Sequence, residues 1–489
     1  MNRVIRRLFL TMPLDRARAE MQGVRLRRVL GKPGLIGIGL GTMLGGIFTT
    51  IGAGANAAGP GVIGSFVLSG LACLFVALCY SELACMVPVA GSAYTYAYAT
   101  LGEIVAWIIG WDLILEYGIS AAPVASSWSA YAQNILGGLG LHLPAWAQIA
   151  HLAIAQGKVD WTHTQFDVLA FAVVLAISIL LAIGIKESSS TNSAMVWFQV
   201  AAIVVFVLAC AGAIQGKLFV PFSPLGLHGI IGSAALVFFA YIGFDTVTVA
   251  SEECRNPARD LPFGIIGSLI VGAVLYLAIA VVCVGVVSWK AIDAGSGMLD
   301  AARHAGSNPI VLSLVALGAI AGTTTVILTS LLGQARIFYV MSRDGLLPPI
   351  VGRINARTRT PVFTTMTTGI VVAVMAGIVP LDVLLALVNI GTLSAFSIVC
   401  IGVAVLRITQ PDAPRPFRSP LGIPVGICGA VLCTGLALFG LGGETWLRFI
   451  VWFAVGVAIY AAYGYRQSVL AAATPASGEE IPVLASTRR

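Results

Sequence analysis

Three carboxylates stand inside long apolar stretches of this chain, where an ionised side chain is costly. Asp112 and Glu116 lie four residues apart, so a helix places both on one face beside Trp111, and Asp245 closely follows Gly243. Because a charge at mid-bilayer costs at least about 2.5 to 3.5 kcal/mol on insertion scales, each is a candidate functional residue. Glu116 could bind a proton, attract a cationic side chain or cap a broken helix, and Asp245 could orient an unwound turn or gate a pocket. A purely structural role is the alternative for both.

Small residues interrupt two apolar stretches, residues 37–48 and 232–245. Glycine lowers the cost of leaving helical dihedrals. A bare N–H or C=O in hydrocarbon costs several kcal/mol, so an unwound turn persists only where protein, water or a ligand satisfies it. The matched pair predicts two broken helices that hold a zwitterion at mid-membrane, with N–H groups facing its carboxylate and carbonyls facing its ammonium. The alternative is that these glycines only let helices pack closely.

Composition places most of the chain in lipid. Of its 489 residues, 58% are hydrophobic and 10% are charged, whereas soluble proteins average about 25% charged residues. The sequence therefore predicts an all-α integral membrane protein with twelve transmembrane helices, called spans 1 to 12 below. Apolar runs long enough to cross about 30 Å of hydrocarbon begin near residues 35, 62, 103, 166, 193, 230, 262, 309, 361, 383, 421 and 446.

Basic residues predict the orientation of these spans, because cationic loops stay in the cytoplasm. We expect a plasma-membrane protein of the bacterial inner-membrane type, with both termini cytoplasmic, and interpret the net charge of +7 as contact with anionic lipid headgroups. The basic amino terminus lacks aromatic interleaving, so no nucleic-acid partner is expected. This orientation leaves outside only five of the 28 lysines and arginines, namely Lys158, Lys217, Lys290, Arg303 and Arg448.

An odd number of spans in a set makes the next set enter the membrane inverted, so spans 1 to 5 and spans 6 to 10 predict a five-plus-five inverted repeat with discontinuous spans 1 and 6. Spans 11 and 12 follow a proline-rich loop and are predicted to be peripheral. The expected organisation is a basic amino terminus (1–34), a first repeat (35–214), an external loop (215–229), a second repeat (230–406), a cytoplasmic loop with spans 11 and 12 (407–466), and a cytoplasmic tail (467–489).

Catalysis, cofactors and metals are not expected. No His-Glu-x-x-His or Gly-x-Ser-x-Gly motif occurs. The nine cysteines form no Cys-x-x-Cys pair, and the histidines of the external loop have no metal-site spacing. Polar residues in spans 8 and 10 add a possible pocket lining, with Thr323, Thr324 and Thr325 the group worth testing, although membrane hydroxyls often bond to their own backbone.

Several motifs together resemble one family, the amino acid-polyamine-organocation transporters, and within it the cationic amino acid transporter branch with its bacterial relatives. The resemblance covers nearly the whole chain. The motifs that carry it lie at residues 41–48, 88–96, 110–117, 184–188, 238–245, 251–257, 342–348, 389–393 and 415–418.

The resemblance implies a LeuT-like fold and a substrate held by backbone groups of the two breaks. It implies that Phe239 covers the bound amino acid, that Glu116 lies close to the pocket, and that residues 251–257 and 342–348 are inner-gate loops. The substrate carboxylate is expected on the amides of Met43, Leu44, Gly45 and Gly46, and the ammonium on the carbonyls of Phe239, Ala240 and Ile242, with Gly243 completing the second break.

Two departures from the family pattern qualify this expectation. The glycine run at residues 41–48 is one residue shorter than in relatives, which shifts the expected carboxylate contacts by one position. Proton-coupled bacterial relatives carry a lysine in span 5 where this chain has Gln199. An amide cannot titrate, so proton drive through that position is excluded if the alignment holds.

These observations predict a secondary amino-acid transporter that works by alternating access, either through proton symport at Glu116 or by facilitated exchange. An amino-acid-sensing receptor or a channel is the alternative, since broken helices also line channel filters. Whether the amino acid is cationic or neutral stays open at this point.

Overall fold

The computed structural model of the chain is helical except for one short hairpin among the residues it describes. These are residues 10–11, 30–86, 92–151, 154–155, 158–159, 164–184, 189–358 and 360–469. The basic amino terminus and most of the cytoplasmic tail lie outside them, so the predictions made for those segments stay predictions. Two-residue strands β1 (Ile154–Ala155) and β2 (Lys158–Val159) pair antiparallel in the loop after span 3.

Nine helical stretches of the described residues are long and apolar enough to cross a membrane, and two shorter apolar helices accompany them. The helices are α1 (Lys32–Ala58), α2 (Val62–Met86), α3 (Ser92–Thr100), α4 (Glu103–Leu113), α5 (Ala121–Gly138), α6 (Val168–Ile183), α7 (Ser189–Cys210), α8 (Gly226–Val237), α9 (Pro257–Val286), α10 (Gly297–His304), α11 (Pro309–Arg343), α12 (Val362–Ile378), α13 (Leu381–Thr409), α14 (Ile423–Gly440), α15 (Gly443–Ile459) and α16 (Tyr465–Gln467).

Local sequence explains where several helices begin. Asp167 precedes α6 and accepts the backbone N–H of Ala170 at 2.9 Å. Asn308 does the same for Val311 before α11, again at 2.9 Å. Helices α9 and α11 each start with a proline, which suits a first turn where the N–H has no intrahelical partner. Between these ends the side chains are mostly apolar, so the backbone N–H groups form their hydrogen bonds with carbonyls of the same helix.

The predicted break in span 1 is wrong. Helix α1 runs without interruption from Lys32 to Ala58, so the amides of residues 43–46 are engaged in the helix and not exposed for a carboxylate. Its glycines serve close packing, the alternative stated above. A β-carbon on Gly46 would lie 2.9 Å from the α-carbon of Ala240, and one on Gly41 would collide with Val196.

Span 6 is broken, as predicted. Helix α8 passes into a 3-10 turn at Phe238–Tyr241, and a second 3-10 segment starts at Phe244. Between them Ile242 is extended and Gly243 has a φ of 122°, a left-handed conformation that a side chain disfavours. The helical hydrogen-bond ladder therefore ends at Tyr241 and restarts beyond Gly243.

Span 3 also departs from a regular helix. A π turn at Ile114–Ile119 joins α4 to α5, and Glu116 lies within it. Such turns insert one extra residue per turn and are frequent at functional sites.

Helices that are five spans apart pack against one another. Helix α1 contacts α8, α2 contacts α9, α5 contacts α11, and α6 contacts α12. Helix α1 also contacts α9 and α11, which places it at the centre of the helix bundle. The broken part of span 6 and the π turn therefore face the same interior region.

Candidate functional site

A small internal cavity of about 40 Å³ lies where the break in span 6 faces α1, the π turn and α11. A water molecule needs roughly 10 to 15 Å³ measured in this way, so the space holds a few waters and no amino acid. In this structure the cavity is therefore too small for an amino-acid solute. It is lined by Thr42, Gly46, Glu116, Tyr117, Ser120, Phe239, Ile242, Gly243, Asp245, Thr246, Val326, Thr329 and Ser330.

Glu116 is the carboxylate with the fewest partners in this cavity. Its side chain is 2% exposed, and neither carboxylate oxygen has a hydrogen-bond partner among the described residues. The π turn positions it, because a π turn spaces successive side chains differently from an α-helix. A buried carboxylate without donors is poised to take a proton or a cationic ligand group.

Asp245 lines the same cavity and is better satisfied. One carboxylate oxygen accepts the hydroxyl of Tyr117 at 3.0 Å, while the other has no partner among the described residues. Tyr117 directly follows Glu116, so Asp245 is hydrogen-bonded to the residue next to Glu116 in the π turn. No lining residue carries a positive charge, and a cation or protons would neutralise this pair.

Asp112 is buried and has no hydrogen-bond partner among the described residues. It does not line the cavity, although the spacing predicts that it shares a face with Glu116. The reason is that α4 ends at Leu113 and the following π turn changes the direction of the later side chains. Only one of the two predicted carboxylates of span 3 therefore reaches the cavity.

The carbonyls of the broken helix are largely satisfied by the protein itself. The carbonyl of Gly243 accepts the hydroxyls of Thr42 at 2.8 Å and Thr246 at 2.5 Å. The carbonyl of Ala240 accepts the hydroxyl of Tyr276 at 2.8 Å. Of the three carbonyls predicted to hold the ammonium, that of Ala240 is thus taken by a tyrosine hydroxyl, and that of Phe239 accepts the backbone N–H of Ile242 at 3.1 Å.

The structure brings six of the predicted site residues to one cavity: Gly46, Glu116, Phe239, Ile242, Gly243 and Asp245. Among the others, Met43, Leu44 and Gly45 are buried within α1, and Ala240 lies behind the cavity wall; these four do not line it. Sequence reasoning missed the hydroxyl residues Thr42, Tyr117 and Thr246. Tyr117 was the detectable one, since it adjoins Glu116.

Gln199, Thr323, Thr324 and Thr325 lie outside the cavity, whereas Thr329 of span 8 lines it. Both side-chain amide atoms of Gln199 are buried without partners among the described residues, and a β-carbon on Gly322 would lie 2.9 Å from its nitrogen. Thr323 donates to the carbonyl of Ala319 at 2.7 Å, and Thr324 to that of Ile320 at 2.6 Å. Both threonines therefore bond to their own helix.

No cluster of three or more His, Cys, Asp or Glu side chains suited to a metal ion occurs in the part of the chain that the structure describes. The chemistry that the cavity offers is that of carboxylates and hydroxyls. Such groups bind ammonium groups and protons and form hydrogen bonds with polar solutes.

A family model described as amino acid permease matches residues 30–463. The chain belongs to the amino acid permease family. It is a multi-pass membrane protein, and the predicted membership of the amino acid-polyamine-organocation superfamily is confirmed.

Individual relatives of this permease cover most of its length. It is 44% identical to the branched-chain amino acid permease BcaP of Bacillus subtilis (strain 168), over 91% of this chain and 95% of the relative. It is 40% identical to the methylthioribose transporter of the same organism, over 95% and 99%. Its identity to cationic amino acid transporter 2, vacuolar, of Arabidopsis thaliana is 36%, over 88% and 68%. These relatives are named as transporters and permeases, not enzymes.

Proposed function

We propose that this permease is a secondary transporter that moves L-amino acids with branched apolar side chains across the plasma membrane by alternating access. The observation that carries the proposal is the small cavity at the break in span 6, which Glu116 and Asp245 both line. A cavity deep in a membrane protein that is too small for its solute suits a carrier, which opens and closes around the solute, better than an open pore.

The proposed fold has twelve spans and a five-plus-five inverted repeat. Nine apolar stretches and two shorter helices support the count, because the first stretch, Lys32–Met86, contains both α1 and α2. The packing of α1 on α8, α2 on α9, α5 on α11 and α6 on α12 supports the repeat, since a two-fold axis brings an element near its own copy. The placing of both termini in the cytoplasm rests on the basic residues.

The substrate site differs from the one that the resemblance implies. Because α1 is continuous, the amides of residues 43–46 are taken up, and we assign the ammonium group to Glu116 and Asp245. Among the hydroxyls of the lining, Ser330 is the donor we assign to the carboxylate, because Ser120 donates to the carbonyl of Tyr117 and Thr329 to that of Thr325. The cavity must widen to admit the substrate, which is what an alternating-access cycle supplies.

The apolar wall of the cavity favours a branched aliphatic side chain. Phe239, Ile242 and Val326 line it, and each removes apolar surface of a ligand from water. The names of the two branched-chain relatives, 44% and 33% identical, agree with this assignment. Cationic amino acids are the second candidate, because a second ammonium or guanidinium could pair with whichever carboxylate the α-ammonium leaves free.

Proton coupling is proposed at Glu116. Its carboxylate has no donor or cation among the described residues, so the empty carrier is more stable with this group protonated. Gln199 cannot serve this purpose, because an amide does not titrate. A substrate that binds only while Glu116 is protonated, with its ammonium paired to ionised Asp245, carries that proton inward with it, which links the two movements.

The test is uptake of labelled L-leucine into proteoliposomes that contain purified protein, with L-lysine, L-arginine and glycine as competitors. Saturable uptake that an imposed inward proton gradient stimulates, and that Glu116→Gln makes insensitive to that gradient, is the expected result. Glu444→Gln, which removes an 87% exposed carboxylate at the start of α15, is the matched control. Single-channel currents, or binding without uptake, would replace the carrier with a channel or a receptor.

A further inference from the structure

A second and much larger cavity, of about 530 Å³, lies far from the break in span 6. It is formed where α5 ends, where the loop after α5 turns back, and where α10 approaches. The basic-residue distribution assigns this side of the protein to the exterior. Its volume falls in the range of about 300 to 1,000 Å³ that is typical of small-molecule sites.

The cavity has one positive charge, the guanidinium of Arg303. The side chain of Arg303 is 46% exposed, and its one ion pair, with Asp300, is long at 3.8 Å. It makes no hydrogen bond with the described residues. A planar guanidinium in this condition offers a carboxylate a bidentate partner. Burial raises the pKa of Asp300 above its usual value.

The rest of the lining is apolar or neutral. Leu136, Leu141 and Leu143 form an apolar side of the cavity. Of these three side chains, that of Leu141 is 61% exposed. Gln133 and Gln148 use their amide nitrogens on the carbonyls of Gln148 and Leu143, both at 2.6 Å. Their amide oxygens accept no hydrogen bond within the described residues, so they remain available to an ammonium group.

We propose that this cavity is an external binding site for a free amino acid with an apolar side chain, whose carboxylate is held by Arg303 and whose side chain contacts Leu136, Leu141 and Leu143. The ligand is of the class that the proposed function assigns to the central cavity, so the identity of the ligand rests on that function. The site itself is distinct, because no residue lines both cavities.

A short chain of contacts connects this site with the segment that covers the outer end of α1. Asp300, the partner of Arg303, accepts the backbone N–H of Asp293 at 2.9 Å, and Asp293 fixes the turn at Gly295 and Ser296. Gly52 of α1 packs directly against the carbonyls of this turn. A ligand carboxylate that pairs with Arg303 in place of Asp300 therefore binds beside the segment that covers the outer end of α1.

The test uses phenylglyoxal, which modifies accessible guanidinium groups, on purified full-length protein with peptide mass spectrometry as the readout. Arg448 is the internal control, since it is 42% exposed, is also assigned to the exterior and has its own acidic partner, Glu444 at 3.0 Å. We expect 10 mM L-leucine to slow modification of Arg303 at least threefold and to leave Arg448 unchanged. Equal rates at Arg303 with and without L-leucine would overturn the proposal.

A variant with a blocked central cavity separates direct protection from a change in shape caused by central binding. Gly46→Val places a side chain against Ala240, and Arg303 should remain protected in it. Loss of protection in Gly46→Val would assign the effect to the central site and overturn the proposal. Uptake of L-leucine is measured in parallel. Uptake of L-leucine without protection of Arg303 would refute the external site but not the transport function. Protection of Arg303 without uptake would support the external site and refute the transport function.

Discussion

Replacing Gly46 by alanine adds a single methyl group at the closest approach of α1 to the broken helix. The new β-carbon would lie 2.9 Å from the α-carbon of Ala240 and 3.2 Å from the carbonyl oxygen of Phe239. Carbon atoms in contact prefer about 3.5 to 4.0 Å, so the two segments must separate by roughly 0.6 Å or more. Both obstacles are backbone atoms of the 3-10 turn, which cannot rotate out of the way.

The expected cost follows from two opposing effects. Overpacking of this kind costs about 1 to 3 kcal/mol, whereas alanine in place of glycine favours a helix by up to about 1 kcal/mol. We therefore expect Gly46→Ala to lower the stability of the protein by up to about 2 kcal/mol. Displacements near 1 Å at a binding site cost roughly 100-fold in rate, so L-leucine uptake should fall at least tenfold.

The assay pairs thermal unfolding in detergent with initial rates of uptake into proteoliposomes. Gly37→Ala is the matched control in the same helix, because no atom lies within 4 Å of its added β-carbon. This control should retain uptake and gain slightly in stability. Wild-type uptake by Gly46→Ala would refute the idea that contact between α1 and the broken helix shapes the central site.

Three further predictions concern the broken helix, a helix start and a buried ion pair. Gly243→Ala should reduce uptake at least tenfold, because a φ of 122° costs a side chain about 1 to 3 kcal/mol. Burial raises the pKa of Asp167 to about 6, so wild-type stability should fall as pH rises from 4 to 6, and Asp167→Asn should remove up to about 3 kcal/mol of that change in thermal unfolding. Arg407→Gln should destabilise the protein by about 1.5 to 3 kcal/mol, because it removes bonds of 3.0 and 2.5 Å to buried Glu82, which keeps Arg415 at 3.2 Å as its other cationic partner.

Each of these predictions has its own control. Gly232→Ala, in the same span as Gly243, places its β-carbon 3.7 Å from its nearest neighbour and should keep uptake normal. For Asp167, the assigned titration would be contradicted if the asparagine variant and the wild type showed the same difference in thermal stability between pH 4 and pH 6. For Arg407, Glu82→Gln is the comparison: it should destabilise the protein more than Arg407→Gln, because it removes the acidic partner of both Arg407 and Arg415, and a smaller loss would show that charge pairing is not the cause.

The contrast between spans 1 and 6 shows what glycine positions in a sequence can predict. Both stretches are rich in small residues, yet α1 is continuous and span 6 is broken. The difference lies in the neighbours, because Gly46 is needed for close approach to Ala240, whereas Gly243 is needed for its left-handed backbone. Neither requirement is visible from spacing alone. The glycine run that is one residue shorter than in relatives coincides with the unbroken α1.

The carboxylates were easier to predict than the hydroxyls around them. A charged residue in an apolar run is costly, so Glu116 and Asp245 stand out in the sequence, and both line the central cavity. Threonines are common in membrane helices, and most bond to their own backbone. Nothing in the sequence distinguishes Thr42, which reaches the carbonyl of Gly243 as well as carbonyls of its own helix, from Thr323, which bonds only within its helix among the described residues.

The hydroxyls of Thr42 and Thr246 on the Gly243 carbonyl bear on how an unloaded carrier behaves. Since these groups satisfy that carbonyl without a solute, resetting to the outward-facing form does not require cargo to fill that role. In proton symport the empty carrier makes this return after Glu116 has released its proton on the inner side of the membrane. A cycle of this kind accumulates its solute by one-way flux, without needing a counter-substrate for every turnover.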